Sequence, residues 1–297
     1  MNSDTPLVLA DFARGGKRWM RRDRGAMIAA VVLLIFAALC LLAPFTAPHD
    51  PIAHQDLETL TNRPPSLEYP MGTDHYSRDV FSRWLYGGRL SLTVAIFATL
   101  VSVTVGTGYG AAAGYAEGWV ATILDRILDA LLAIPRLLLL IAIFAAWHER
   151  LTTTGFIVTL GATGWYALAR LVRGQVLALK AQDFVASARA LGATRMRILT
   201  RHILPNIATP VVVAATLGLG HVIILEAGLS WLGIGIDVPQ PSWGNMIQDG
   251  SASLDYMASS WWVALFPGLA IMITVIAFNV LGDALLRALS ARQSGME

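Results

Sequence analysis

Two carboxylates four residues apart, Asp125 and Asp129, fall on one face of a helix. Such a pair can hold a cation or pass a proton. Arg126 stands beside them at the mouth of an apolar run, so a structural or coupling role is the simpler expectation. Arg136 lies inside that run, His221 and Glu226 inside another, and Asn279 and Asp283 inside a third. A charge in an apolar span is costly and marks a pathway, a relay or an interhelical bond. Arg136 is only ~9 Å along its span if the span begins near Ala130. It can then snorkel to the interface, with pathway lining as the alternative. His221 and Glu226 are five apart and do not share a face, which favours bonding between helices over substrate contact. Asn279 and Asp283 are expected to bond between helices too.

Other chemistry is absent. There is no G-x-x-x-x-G-K-[ST] stretch and no H-E-x-x-H. No nucleophile–base constellation supports a membrane-bound enzyme. Cys40 is the sole cysteine, which excludes a disulfide or Cys-rich metal site within the chain. Gly106, Gly108 and Ala111 nominally fit a dinucleotide fingerprint, but no strand precedes them. Gly106, Gly110 and Gly114 instead recur every four residues, the small-residue stripe of closely packed membrane helices.

The elements that must position these residues are apolar. Of 297 residues, 55% are hydrophobic and 14% charged, and mean hydropathy is +0.58. Soluble domains carry about 25% charged residues, so a large soluble catalytic domain is excluded. Six runs approach the ~20 apolar residues a membrane span needs: 26–42, 90–113, 130–147, 152–169, 206–225 and 261–281. Their period is helical, not the alternation of an outer-membrane barrel. The prelude to the first run is too long for a signal peptide, so that run is expected to be retained as an anchor. The fold class expected is all-α integral membrane, with Trp243, Trp261 and Trp262 in an aromatic belt or its adjoining loop.

Lys and Arg set the orientation. The leading tail holds six (Arg14, Lys17, Arg18, Arg21, Arg22, Arg24) and the segment between the fourth and fifth runs seven (Arg170, Arg173, Lys180, Arg189, Arg195, Arg197, Arg201). Residues 233–260 hold none, only Asp237, Asp249 and Asp255, while Arg287 and Arg292 follow the last run. Both ends are therefore predicted to be cytoplasmic. The organisation expected is a tail over 1–25, a first span and external loop over 26–89, a five-helix core over 90–286 with a cytoplasmic loop at 181–205, and a tail over 287–297.

That cytoplasmic loop reads as two short helices. Asp183 can cap the first, with Phe184, Val185, Ala188 and Leu191 along it and Gly192 ending it. Residues 193–203 begin a second, basic helix, and Pro205 marks the start of the fifth span. A hinged, apolar and basic knob of this kind suits a cytoplasmic partner, or equally an anionic lipid surface.

The stretch Ala186-Ser187-Ala188-x-x-x-Gly192, followed by Ile203-Leu204-Pro205, resembles the E-A-A-x-x-x-G-x₉-[IV]-x-L-P loop of ABC-importer permeases. Ala186 stands where that pattern has Glu, and Ser187 where it has Ala. Gly72-Thr73-Asp74, Arg78-Asp79-Val80, Ser82-Arg83 and Tyr86-Gly87-x-Arg89-x-Ser91-Leu92 are similar to the G-T-D…R-D-V-x-S-R…Y-G-x-R-x-S-L series of the dipeptide/oligopeptide/nickel permease C-subunits. Ser77 replaces a usual Gly there. Glu226-Ala227-Gly228-Leu229-Ser230-Trp231-Leu232-Gly233, Pro241-Ser242-Trp243-Gly244 and Phe278-Asn279-x-x-Gly282-Asp283 continue the match in order.

The resemblance implies a type I importer permease with six spans in the bacterial inner membrane. It would pair with a homologous permease, in a heterodimer. Two cytoplasmic ATPase subunits using ATP and Mg, and an extracytoplasmic substrate-binding protein, would complete the assembly. The chain itself would bind no cofactor, metal or nucleic acid and would not be an enzyme. Asp183, Phe184, Val185, Ala186, Ser187, Ala188, Arg189, Gly192, Leu204 and Pro205 would form the ATPase-docking coupling helix and its flank. Phe184, Val185 and Ala188 are expected to face the ATPase groove. The cargo implied is a di- or oligopeptide or a related solute (nickel chelate, glutathione, opine). An ion-coupled secondary transporter is the alternative, and it would want a deep ionisable relay.

Overall fold

The computed structural model describes residues 23–146, 152–236, 239–251 and 254–293. The expectations for the basic residues of the leading tail before Asp23, for Trp147 and for Asp237 fall outside them. Among the described residues the chain is helical: α1 (Arg24–Leu41), α2 (Ala43–Thr46), α3 (Val80–Tyr115), α4 (Gly118–Ala133), α5 (Arg136–Ala146), α6 (Thr153–Lys180), α7 (Asp183–Ala190), α8 (Arg195–Trp231), α9 (Trp243–Gly250), α10 (Leu254–Ser259) and α11 (Trp262–Gln293). Five of these are long and apolar enough to cross a membrane, and the pair α4 and α5, bent by 80°, would make a sixth.

The helices α3 and α6 run parallel in closest approach. A Cβ on Gly106 would lie 2.9 Å from the Trp165 carbonyl oxygen, and one on Gly110 would meet the Ala169 carbonyl oxygen and lie 2.7 Å from Val172 Cβ. From the other side, Gly161 admits Val101 and Gly164 admits Ser102. The glycine stripe therefore packs helix on helix, as its spacing predicted. Its partner is this chain's own α6. Gly110→Ala should cost about 1–3 kcal/mol through overpacking against backbone. Gly108→Ala, with nothing near the added methyl, should be neutral or stabilising, because Ala outranks Gly in helices. Thermal unfolding of the two variants in detergent checks the contrast.

The bend between α4 and α5 has a local cause. Proline clashes with a helical predecessor, and Ile134 before Pro135 is accordingly extended (φ −85°, ψ 122°). In α8 the strain is absorbed differently. A π-helical turn, Leu199–Ile203, inserts one extra residue just before Pro205. The helix therefore passes from the basic segment into the apolar one without a break, and the expected boundary at Pro205 is a bulge.

At the Trp243 end of the bundle, α1, α3, α9 and α11 enclose a second core around Cys40, Trp84, Trp243 and Trp262. Trp243 is fully buried and its indole N–H donates to the Trp84 carbonyl oxygen (3.0 Å). Trp262 donates to the Thr73 carbonyl oxygen (3.0 Å). These two are core residues and not members of an interfacial belt, because each indole N–H finds a buried carbonyl. Trp261 alone of the three is exposed.

Candidate coupling loop and membrane pathway

At the opposite, Lys180 end, α7 projects from the bundle as an eight-residue helix. Gln182, not Asp183, is its N-cap. Asp183 opens the first turn, where its charge suits the helix dipole. The helix closes in a Schellman motif. The Gly192 N–H donates to the Arg189 carbonyl oxygen (3.0 Å) and the Ala193 N–H to that of Ala188 (3.1 Å). Gly192 has φ +83°, the left-handed conformation that glycine adopts without Cβ strain. Thr194 then caps α8 by accepting from the Arg197 N–H.

Burial sorts the predicted docking residues. Val185 is wholly buried with Val172, Val176, Ile198, Ile203 and Ile207, and Ala188 packs against the same cluster. The expectation that Val185 faces outward is corrected; Ala188 is half-buried beside it. Their i,i+3 spacing makes them the stripe that ties α7 to α6 and α8. Phe184, Ala186, Ser187, Arg189 and Gly192 are exposed. Leu204 and Pro205 lie where α8 joins the bundle, partly buried. Two conspicuous apolar groups on this surface lie outside the expected docking set: Leu191 (88% exposed), read only as one of the apolar residues along the helix, and Met196 (68%). Their signal was hydrophobicity beside a helix-ending glycine.

Glu117 clamps the base of this knob. Its carboxylate meets Lys180 Nζ at 2.8 Å and Arg195 at 3.5 Å. The Lys180 hydrogen bond, more than any other influence, holds the carboxyl below its usual range. Lys180 also donates to the Tyr115 carbonyl oxygen (3.2 Å).

Within the bundle, the Asp125–Asp129 pair has no free carboxylate for a cation. Asp125 pairs with Arg173 (3.0 Å) and Asp129 with Arg170. Glu226 is fully buried. It accepts from Ser91 Oγ and Ser230 Oγ, each at 2.8 Å. The Trp243 N–H donates to the same Ser91 (3.3 Å), so Glu226 knots α3, α8 and the start of α9. Ser242 completes the join with a capping box through Asn245. Asn279 and Asp283, expected to bond between helices, are instead exposed, because the buried face of α11 is carried by Thr274, Ala277, Gly282 and Ala284.

The snorkelling expectation for Arg136 fails. A terminal guanidinium N–H donates to the Leu160 carbonyl oxygen (2.8 Å). Leu160 stands twenty residues, about 30 Å, along α6 from Lys180. The bend places the first residue of α5 against α6, with only Leu140 and Phe144 of α5 buried. His221 is exposed on α8, within reach of the Arg136 charge.

At the Trp243 end, a buried ionic cluster joins the loop before α3 to α9. Arg78 pairs with Asp74 (2.7 Å) and Asp249 (2.9 Å), and Arg83 with the same two carboxylates at 3.6 and 3.2 Å. Ser77 holds φ +54°, which explains why glycine suits that position in the motif. Beside the cluster, His75 is half-buried, its Nδ1 without a hydrogen-bond partner among the described residues. Burial, more than any charge, pushes its pKa below the ordinary 6.5. The unfolded chain then binds the proton more readily, so stability should fall as pH drops through 6.5. Replacement of His75 by Phe should flatten unfolding midpoints measured between pH 7.5 and 5.

Residues 105–295 match the family described as "Binding-protein-dependent transport system inner membrane component". Residues 17–65 match the "N-terminal TM domain of oligopeptide transport permease C". The chain is similar to the dipeptide transport system permease protein DppC of Bacillus subtilis, 38% identical over 95% of this chain and 86% of that protein. It is also similar to the glutathione transport system permease protein GsiD of Escherichia coli, 41% identical over 98% of this chain and 95% of that one. The GsiD of Shigella boydii gives the same figures.

Proposed function

The chain belongs to the family of binding-protein-dependent inner-membrane transport components, as a permease of the oligopeptide/dipeptide ABC importers, and we propose that it forms one half of a translocation pathway whose motor docks on α7. Its partner in the membrane is a homologous permease in a heterodimer. Two ATPase subunits bind from the cytoplasm and use ATP and Mg. A binding protein delivers the cargo from outside, and both ends of the chain lie inside. DppC and GsiD are named for dipeptide and glutathione transport, and we take the cargo here to be a short peptide or a related solute.

The observation that carries the docking assignment is the construction of α7. It is a short helix pinned by Val185, ended by Gly192 at φ +83°, with Phe184, Leu191 and Met196 exposed around it. Closure of an ATPase dimer would drag such a knob as a rigid body. The pull passes through the α6 and α8 contacts into the spans, in the manner of hinge and shear transitions. Ala186 carries no charge, so shape and apolar packing hold the contact and salt should weaken it little, apart from any share of Arg189. Ion-coupled transport is not favoured: Asp125, Asp129 and Glu226 are tied up in the bonds described above, leaving no relay among them.

Reporter fusions test the orientation. Fusions after Ser66 and Ser251 should read external and one after Ala193 cytoplasmic. A cytoplasmic signal at Ser251 would overturn the arrangement and, with it, the docking role of α7.

A further inference from the structure

Arg136 sits where a lone cation is most expensive. It is the first residue of α5, beyond the 80° break, about 30 Å along α6 from the Lys180 end. Its side chain is held in place. One N–H donates to the Leu160 carbonyl oxygen, and the guanidinium occupies space left by the missing side chain of Gly164, where a Cβ would lie 2.7 Å from a terminal nitrogen. No carboxylate among the described residues pairs with it. Nε has no hydrogen-bond partner among the described residues, and the acidic groups of the neighbouring helices are committed elsewhere: Asp125 to Arg173, Asp129 to Arg170, Glu226 to serines. Tyr166 and His221 are the other titratable groups in its electrostatic reach. His221, on a different helix, is exposed.

An unpaired guanidinium deep in a membrane bundle faces water or a counter-anion rather than lipid. A pre-organised one at a helix start, with the dipole adding to its charge, suits a planar carboxylate. We propose that Arg136 forms a station in the middle of the translocation pathway that engages the free carboxylate of the passing peptide. This rests on the reading of the chain as a peptide-importer permease.

The test uses the assembled permease–ATPase complex in liposomes, with the binding protein added outside and His221→Cys as the probe. Cys40 is buried and inert to bulky reagents. The rates of labelling at position 221 by an anionic (sulfonatoethyl) and a cationic (trimethylammonioethyl) methanethiosulfonate are followed by mass spectrometry of this chain, with and without ATP. Position 221 should label in at least one state. The anionic-to-cationic rate ratio should fall about ten-fold or more on adding Arg136→Gln and be largely kept with Arg136→Lys. With His221 intact, Arg136→Gln should lower ATP-driven uptake of Ala-Ala about ten-fold, and Arg136→Lys should retain most of it. Failure to label in every state, a ratio indifferent to residue 136, or wild-type uptake by Arg136→Gln would each overturn the station. Absence of Ala-Ala uptake by the wild-type complex would instead count against the cargo reading, and the labelling ratio would still decide whether Arg136 charges an aqueous pathway.

Discussion

A chain carrying Gly192→Val is expected to insert in the membrane and pair with its partner permease, yet lose at least nine-tenths of uptake. Gly192 is at φ +83°, and no atom lies within 4 Å of the point a Cβ would occupy, so the penalty is one of backbone conformation and not of collision. A β-branched residue in that region is a true outlier, at about 1–3 kcal/mol. The two Schellman hydrogen bonds that Gly192 and Ala193 make back to Arg189 and Ala188 would have to loosen to relieve it. The axis of α7 would then shift relative to Thr194 and the start of α8, moving Phe184 and Leu191 off their partner surface. Because ten-fold in an equilibrium is only about 1.4 kcal/mol, strain of this size is enough to uncouple docking without unfolding the spans. Co-purification of the ATPase subunits checks the first half and uptake the second. Wild-type recruitment and uptake would make α7 a lipid-resting helix.

Asp74→Ala should be the most destabilising single change at the Trp243 end, by about 3–5 kcal/mol. The Asp74 carboxylate is 1% exposed. It accepts from the Arg78 side chain and from the backbone N–H groups of Tyr76 and Arg78, and it lies 3.6 Å from Arg83. Removing it leaves two buried guanidinium groups against the single carboxylate of Asp249, and two backbone donors unmet. Asp74→Asn, which keeps an acceptor for the backbone, should cost less. The Asp74→Ala defect should appear as rapid proteolysis of the loop between α2 and α3 and a lowered unfolding midpoint. A midpoint within about 0.5 kcal/mol of wild type, the range of an ordinary surface substitution, would mean that the cluster contributes no net stability.

The apolar runs made the helices legible, because hydropathy is a sum over twenty residues and tolerates local irregularity. The glycine stripe was legible for a similar reason: spacing alone forces Gly106, Gly110 and Gly114 onto one face. Less visible was what a single residue does to direction. The third run read as one span through Pro135, whereas the helix bends there by 80° and carries Arg136 against α6. The depth expected for Arg136 assumed one straight helix and so came out too close to the cytoplasmic interface. Trp243 read as interfacial because tryptophan is common there. Its burial depends on carbonyl acceptors from α3, which only the folded arrangement supplies. In the docking loop, the glycine and its conformation were readable from sequence. The division between Val185 and Ala188 inward and Phe184 outward was not, since a two-turn helix with apolar residues on several faces does not declare its buried side.

The central claim, that this permease is the membrane half of an ATP-driven importer, is tested most directly by uptake of a short peptide into liposomes. The liposomes would hold this chain, its partner permease and the ATPase subunits, with binding protein added outside. Accumulation should require ATP within the liposomes and the binding protein outside, and should persist undiminished when an ionophore collapses the ion gradients. Uptake that continues without ATP and stops with the ionophore would contradict it.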